Sequence, residues 1–350
     1  MDPSGKYPIP KVNVYVASGA LAPISAGAGT CPTLPATGVT QTGPTGTASL
    51  DVATGGLVPV VAQIGKWRAQ TMVNVTACSP ASAKINLPAS STAGNVPAIA
   101  VSTGKSDTLE CTIHRLGLDG AVTFFQGAGG VAPTGAAQTS SLWASEQTLL
   151  GYDAVIMSCE GAATAGANPT ALSSYIGAGG MVYAEHWQYS WFDAAPFTGQ
   201  NMATWNTGSS FLTGTTNAVI ETGSAAGLGF QQWLESRGAL DGTHELPMMN
   251  AEAANNAATL GSASTLLVAA DTSASVPNAP LLFSWSQGGE GRVVYADYHV
   301  ADSVGDYGTA PGSVTVPAGA AYPTGCLATA LQPSEFAFLY ALFEDLSCGM

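Results

Sequence analysis

Apolar positions along the chain fall into short runs of two textures. From Lys11 to Ala77 the runs are β-rich and broken by Gly, Pro and Thr loops: KVNVYVAS (11–18), LVPVVAQIGKW (57–67) and RAQTMVNVTA (68–77). That spacing predicts the antiparallel strands of a sandwich. LPASSTAGNVPA (87–98) then reads as a connector of small residues and prolines. Beyond it strands alternate with helices: AIAVSTG (98–104), the helical KSDTLECTIHRLGL, the strand YDAVIMSCEG (152–161), the helix NPTALSSYIGAGG and the strand MVYAEH (181–186). FQQWLESRGAL, ASTLLVAAD, APLLFSWS, GRVVYADYHV and a closing helix QPSEFAFLYALFEDL follow. Strands separated by helices imply parallel βαβ units. The expected fold class is therefore all-β plus α/β, with a β-sandwich over 1–95 and a parallel-sheet domain over 96–350.

Composition narrows the function. With 46% hydrophobic residues the chain has enough apolar surface to offset its ordering entropy. The 23 acids against 9 bases give a net charge of -14, which repels a nucleic-acid duplex and an anionic membrane surface. No apolar run reaches the roughly 20 residues that span a bilayer, so no membrane insertion is expected. Met1 is followed by DPSGKYPIP without a basic, apolar signal segment, which fits a mature or trimmed chain or one that is not exported. The six cysteines carry no CxxC pair and no zinc-site spacing. An even number scattered among Gly/Thr/Pro loops reads as disulfides in an oxidising compartment, hence an extracellular or cell-surface location.

The front segments VYVASGALAPISAGAGTC, VPVVAQIGKWRAQ and NVTAC resemble a carboxypeptidase-regulatory-like β-sandwich. The rear segments VPAIAVSTGKSDTLECTIHRLGL, LLGYDAVIMSCEG, YIGAGGMVYAEHW and GRVVYADYHV resemble the class I glutamine-amidotransferase-like fold. Together they resemble a group of two-part exported bacterial proteins. The resemblance implies a prealbumin- or Ig-like sandwich followed by a flavodoxin-like domain. Active members of the second fold carry a nucleophilic Cys on the turn after a Gly-Gly-strand segment. Here GGMVYA leads to Glu185 and His186, so glutaminase chemistry is expected to be lost.

Ligands of an open α/β sheet gather at the carboxyl ends of its parallel strands. CEG, EHWQYSW and DYHVAD lie at such ends and would bring Glu160, Glu185, His186, Asp297, His299 and Asp302 to one rim, walled by Trp187, Tyr189, Trp191 and Tyr298. Imidazoles with carboxylates can hold Zn²⁺ or another divalent ion, or act as acid and base. Successive strand residues face opposite ways, which favours His186, Asp297 and His299 as the metal trio. The plain alternative is hydrogen-bonded histidines and sheet-capping aromatics. The aromatic density favours stacking on a sugar ring over metal chemistry, because aromatic faces cover the apolar face of a ring while the acids take its hydroxyls.

Other motifs have ordinary explanations. STGKS (102–106) lacks the first glycine of a P-loop, so Lys105 begins a helix turn capped by Ser106 or Asp107. His114 is expected to pair with Glu110 one turn away, and His244 to be solvated. Trp67 is expected in the sandwich core, with Lys66 and Arg68 facing outward. Cys31 is expected to pair with Cys78, because both flank the sandwich strands, and Cys326 with Cys348 or Cys159. The leading functional expectation is a non-catalytic binding or structural protein with a glycan or another extracellular protein as partner. The alternatives are a hydrolase or metal-dependent enzyme using His186, His299 and nearby acids, and a self-assembling subunit that donates or accepts edge strands. No cofactor is expected beyond a divalent metal at the rim.

Overall fold

The computed structural model describes residues 1–29, 31–35, 37–53, 55–208, 211–212, 217–248, 253–301, 326, 330–344 and 346. Strands β1 (Asn13–Val16), β2 (Val39–Gln41), β3 (Gly56–Ile64) and β4 (Trp67–Val75) form an antiparallel sheet in the order β2-β1-β3-β4. β3 and β4 make an unbroken hairpin from Gly56↔Val75 to Ile64↔Trp67, and Gly65 takes φ 51 in its two-residue turn. That positive φ is the conformation such turns demand.

The second sheet is large and mixed. Its parallel part holds β5 (Ile99–Ser102), β6 (Val122–Gln126), β7 (Ala137–Gln138), β8 (Ala154–Met157), β9 (Met181–Glu185) and β16 (Gly291–Ala296). Antiparallel pairing then adds β15 (Pro280–Gln287), β14 (Ser264–Ala270), β11 (Asn217–Ile220) and β12 (Leu246–Pro247), for the order β12-β11-β14-β15-β16-β9-β8-β5-β6-β7. β10 (Ala203–Trp205) and β13 (Ala257–Leu260) pair separately. The fold is thus a small antiparallel sheet beside a mixed α/β sheet. ASTLLVAAD, APLLFSWS and GRVVYA form an antiparallel meander instead of parallel units, because the turn at Gly288 and Gly289, both at positive φ, returns the chain directly.

Helices α1 (Leu109–Arg115), α2 (Thr139–Leu142), α3 (Glu146–Leu149), α4 (Pro169–Gly177), α5 (Tyr189–Phe192), α6 (Ala225–Arg237) and α7 (Pro333–Glu344) complete the described elements. Asn168 caps α4 by accepting from Ala171 N, with Pro169 at the first turn, and Ser224 caps α6 by accepting from Gly227 N. Both faces of the parallel strands are covered. Every residue of β5, β8 and β9 is buried, the pattern of parallel strands packed on two sides.

One face packs Val101, Ile156, Tyr183 and Val294 against α1 and α7, and that core continues into Ile9, Val12, Ile64 and Trp67. Trp67 meets Phe343 of α7 with ring centroids 5.2 Å apart. Among the described residues the front of the chain therefore has one sheet, whose apolar face is completed by the rear. The other face packs Val155, Val182 and Tyr295 against Leu172, Tyr175, Trp191 and Phe192.

Several polar expectations change in three dimensions. Lys66 is buried, not outward: its Nζ donates to Asp153 Oδ1 (2.5 Å) and Gly27 O (2.7 Å), and Asp153 Oδ2 accepts from Ala98 N. His114 pairs with Asp119 (2.9 Å), since Glu110 on the same helix is turned into the core. His244 is exposed and pairs with Glu235 at 2.8 Å. Asp107 accepts from Val300 N and Ala301 N in the interior instead of capping α1.

Cys326 bonds Cys111, not Cys348 or Cys159, because buried Cys111 on α1 faces it. Cys31 is disulfide-bonded, while Cys78 is free and exposed. The loop of Cys31 runs over the β15–β16 turn, where Cys31 N donates to Glu290, away from Cys78 beyond β4. Cys348 and Asp302 lie outside the described residues. Among those residues, no helix is long and apolar enough to cross a membrane.

Candidate metal centre

Three strand ends converge at the carboxyl edge of the parallel sheet. β8 leads into Ser158, Cys159 and Glu160; β9 ends in Glu185 and turns at His186; β16 leads into Asp297, Tyr298 and His299. β8, β9 and β16 are neighbours, so the three termini stand side by side. His186 has φ 36, a left-handed conformation costly for a side chain with a Cβ. Its carbonyl accepts from Tyr295 Oη at 2.6 Å, which fixes the turn from β16.

Cys159 Sγ lies 3.6 Å from His186 Nδ1, and His186 Nδ1 lies 3.1 Å from His299 Nε2. The three donor atoms all fall within 4.8 Å of one another. Cys159 is 0% exposed, His186 1% and His299 9%, so the group is nearly sealed. The Phe211 ring, 43% exposed, stands 4.8 Å from the His186 ring and 5.7 Å from that of His299.

Burial sets the protonation states. It takes His186 down to about 3, helped by the neighbouring His299, and takes His299 down to about 4. Burial also pushes the Cys159 thiol up to about 12. The apo cluster is therefore two neutral imidazoles and a neutral thiol, all with lone pairs available to a metal once the thiol proton leaves. Asn256 is the polar neighbour that favours a proton on His186, while His186 Nε2 and Asn256 Oδ1 are buried without a hydrogen-bond partner among the described residues. Asn256 is itself anchored by donating to Asn206 O and Gly208 O.

A pair of buried acids supports the cluster. Glu185 Oε2 accepts from Cys159 N at 3.1 Å, and Asp107 ties the chain just after His299 through Val300 and Ala301. Burial raises Glu185 well above the usual range, with the adjoining Asp107 adding to it, and burial takes Asp107 to about 8. Two neighbouring carboxyls in a dry interior cannot both ionise cheaply, so each raises the other's hold on its proton. A side chain at Gly104 would collide with the Cys159 carbonyl, so the β5 loop can pass here only as glycine.

The other rim residues have distinct places. Asp297 accepts from Ala257 N (2.8 Å) and meets Tyr295 Oη (3.1 Å), with burial taking it to about 7; its carboxyl is occupied away from the imidazoles. Tyr298 and Trp191 are fully buried, the latter against Trp143 at 4.9 Å. Tyr189 is buried and stacks on Trp205 (6.0 Å), while Trp187 is part-exposed beside it. Glu160 is buried beneath Gly127, and burial raises its carboxyl above the usual range. So the fold brings His186 and His299 together across 113 positions and supplies Cys159 as the third donor. Cys159 had a sequence signal, its place in CEG at a strand end; Asn256 and Asp107 had none.

No protein-family profile and no curated protein matches the chain. Among solved structures it is similar to one titled mmIFT52 N-terminal domain, at 12% identity and a TM-score of 0.41, over 72% of this chain and 98% of that one. It is also similar to the exo-β-1,4-mannosidase Op5Man5 from Opitutaceae bacterium strain TAV5, at 11% identity and a TM-score of 0.30, over 58% of this chain and 31% of that one. Likeness at this level carries no functional argument. The site is read from its own geometry.

Proposed function

We propose that the chain is an exported or cell-surface metal-binding protein whose rear part holds one transition-metal ion between Cys159, His186 and His299. The observation that carries this is the convergence of one sulfur and two imidazole nitrogens within 4.8 Å at three adjacent strand ends. One thiolate with two imidazoles suits Zn²⁺ or a copper ion and disfavours Ca²⁺ and Mg²⁺, which take oxygen donors. Three protein donors would leave a fourth position to water or an added ligand. The acids Asp107, Glu185 and Asp297 are committed to backbone amides, which supports binding over hydrolysis. The disulfide Cys111–Cys326 supports an oxidising compartment.

The same reading includes the finer fold. The parallel order β6-β5-β8-β9-β16 corresponds to the 2-1-3-4-5 order of flavodoxin-like sheets, with Cys159 following the strand beside the switch point. A carboxypeptidase-regulatory-like front and an amidotransferase-like rear, divided near residue 95, fit that arrangement.

Titrating Zn²⁺ and Co²⁺ into the disulfide-intact chain tests the metal site. The expected result is one ion per chain, with a thiolate-to-cobalt charge-transfer band that Cys159→Ser removes. Absence of stoichiometric binding by the unmutated chain would sink the proposal.

A second reading, binding of a neutral glycan, is favoured by a groove of about 260 Å³ between Phe192 and Trp205. Trp205 and Phe197 line it with Asp193, Asn201 and Thr204, aromatic faces beside groups that take hydroxyls. Glycan-array binding that survives Cys159→Ser and fails in Trp205→Ala would support this reading.

A further inference from the structure

We infer that β4 is a self-complementary edge through which two copies of the chain join their small sheets into one. Among the described residues β4 is the last strand of its sheet, and the nine-residue pairing with β3 leaves its other side open. Among the described residues only Asn95 occupies that side: Arg68 N donates to Asn95 O (2.9 Å) and Asn95 N to Arg68 O (3.0 Å). This contact fixes the parity of the strand. Arg68 directs its backbone groups outward, and in an antiparallel ladder without a bulge every second residue does the same. The N–H and C=O of Gln70, Met72 and Asn74 therefore point off the edge.

Natural edges are guarded by charge, proline, a bulge or shortness. β4 has none of these from Ala69 to Val75, and no charged residue occurs from Ala69 to Ala83. The chain as a whole carries -14, so most of its surface repels a second copy. This strand does not. Gln70 and Asn74 are exposed, as is Met72 at 52%, and the β3 register places Leu57, 68% exposed, beside Asn74 on the same face.

An occupant must match that row, and a second β4 run antiparallel does. Centred on Met72, it sets Met72 against Met72 of the other copy and Gln70 against Asn74 on both sides. Those three pairs use the outward backbone groups, place an apolar pair at the centre and let carboxamides meet carboxamides. The two-fold operation repeats each contact, as an isologous dimer requires. The contact is one strand wide, well below a standard interface, so the dimer is weak and concentration-dependent.

Sedimentation of the full chain in a Cys78→Ser background, which removes the exposed thiol, tests this from about 1 to 500 µM. The mass is expected to rise from 35.1 kDa towards twice that value. Met72→Lys and Gln70→Lys/Asn74→Lys set like charges opposite each other and are expected to stay monomeric. Gln70→Lys/Asn74→Glu sets opposite charges in the same register and is expected to dimerise at least as well as the parent. These positions are solvent-facing, and circular dichroism confirms that each variant is folded. A parent chain that stays at 35.1 kDa throughout overturns the inference, as does a dimer unaffected by both repulsive variants.

Discussion

The two ends of the parallel sheet handle buried polar groups in opposite ways. At the amino end, Lys66 and Asp153 leave water together, and each finds a backbone partner as well, Gly27 O and Ala98 N. At the carboxyl end, His186 Nε2, Glu160 Oε1, Ser102 Oγ and Thr103 Oγ1 are buried without a hydrogen-bond partner. Buried polar groups need partners, and a bound ion or ordered water can supply them at this edge. The amino end is built to hold, the carboxyl end to receive.

That contrast is broken most forcefully at Lys66. Lys66→Met strands Asp153 in the interior and is expected to lower the unfolding free energy by about 3–5 kcal/mol, read in urea, while the folded fraction still binds metal. Opening Cys111–Cys326 with Cys326→Ala should cost about 2–5 kcal/mol, since the bond closes a loop of 215 positions. Neither change touches the donors.

At the other end the effects should appear in binding instead. Cys159→Ser is expected to weaken Zn²⁺ binding by more than about 100-fold with little change in the urea midpoint, and Asn256→Ala by about 10–100-fold, both by competition with a chelating dye. A Cys159→Ser protein that lost as much stability as Lys66→Met would erase the distinction between the ends.

The smallest effect is on pH dependence. Asp297 at about 7 and Asp107 at about 8 keep protons in the folded state that unfolded carboxylates have released, so their contribution to stability falls as pH rises towards 8. His186 at about 3 and His299 at about 4 act oppositely, adding stability as pH rises to about 6.5, where unfolded imidazoles have lost their protons. Between about pH 6.5 and 8 the buried acids outnumber the one opposing group, the buried amino terminus of Met1 with its lowered pKa, and thermal melts should show stability falling, by at most about 1.4 kcal/mol per pH unit for each acid. Asp297→Asn should flatten that slope.

Much of the frame was legible in the hydrophobic runs. IAVS, AVIM and MVYAE are short, wholly apolar or nearly so and flanked by helical patterns, which marks buried parallel strands. Their carboxyl ends then named the rim on which Glu185, His186 and His299 stand. The meander was harder: Gly288 and Gly289 between two apolar runs were a hairpin signal that the strand-helix rhythm overrode. Lys66 had no readable partner, because Asp153 is 87 positions away. Asp107 and Asn256 act through side-chain contacts that no period in the sequence records.

The contact between Trp67 and Phe343 puts the assembly of this chain on a timetable. Phe343, on the helix that covers the apolar face of the first sheet, is made 276 positions (343 − 67) after Trp67. At bacterial or eukaryotic synthesis rates the delay is on the order of half a minute. Throughout that interval Trp67, Ile64 and Val12 lack their final cover, and a holding chaperone or a translocation channel has time to capture the nascent chain before it closes.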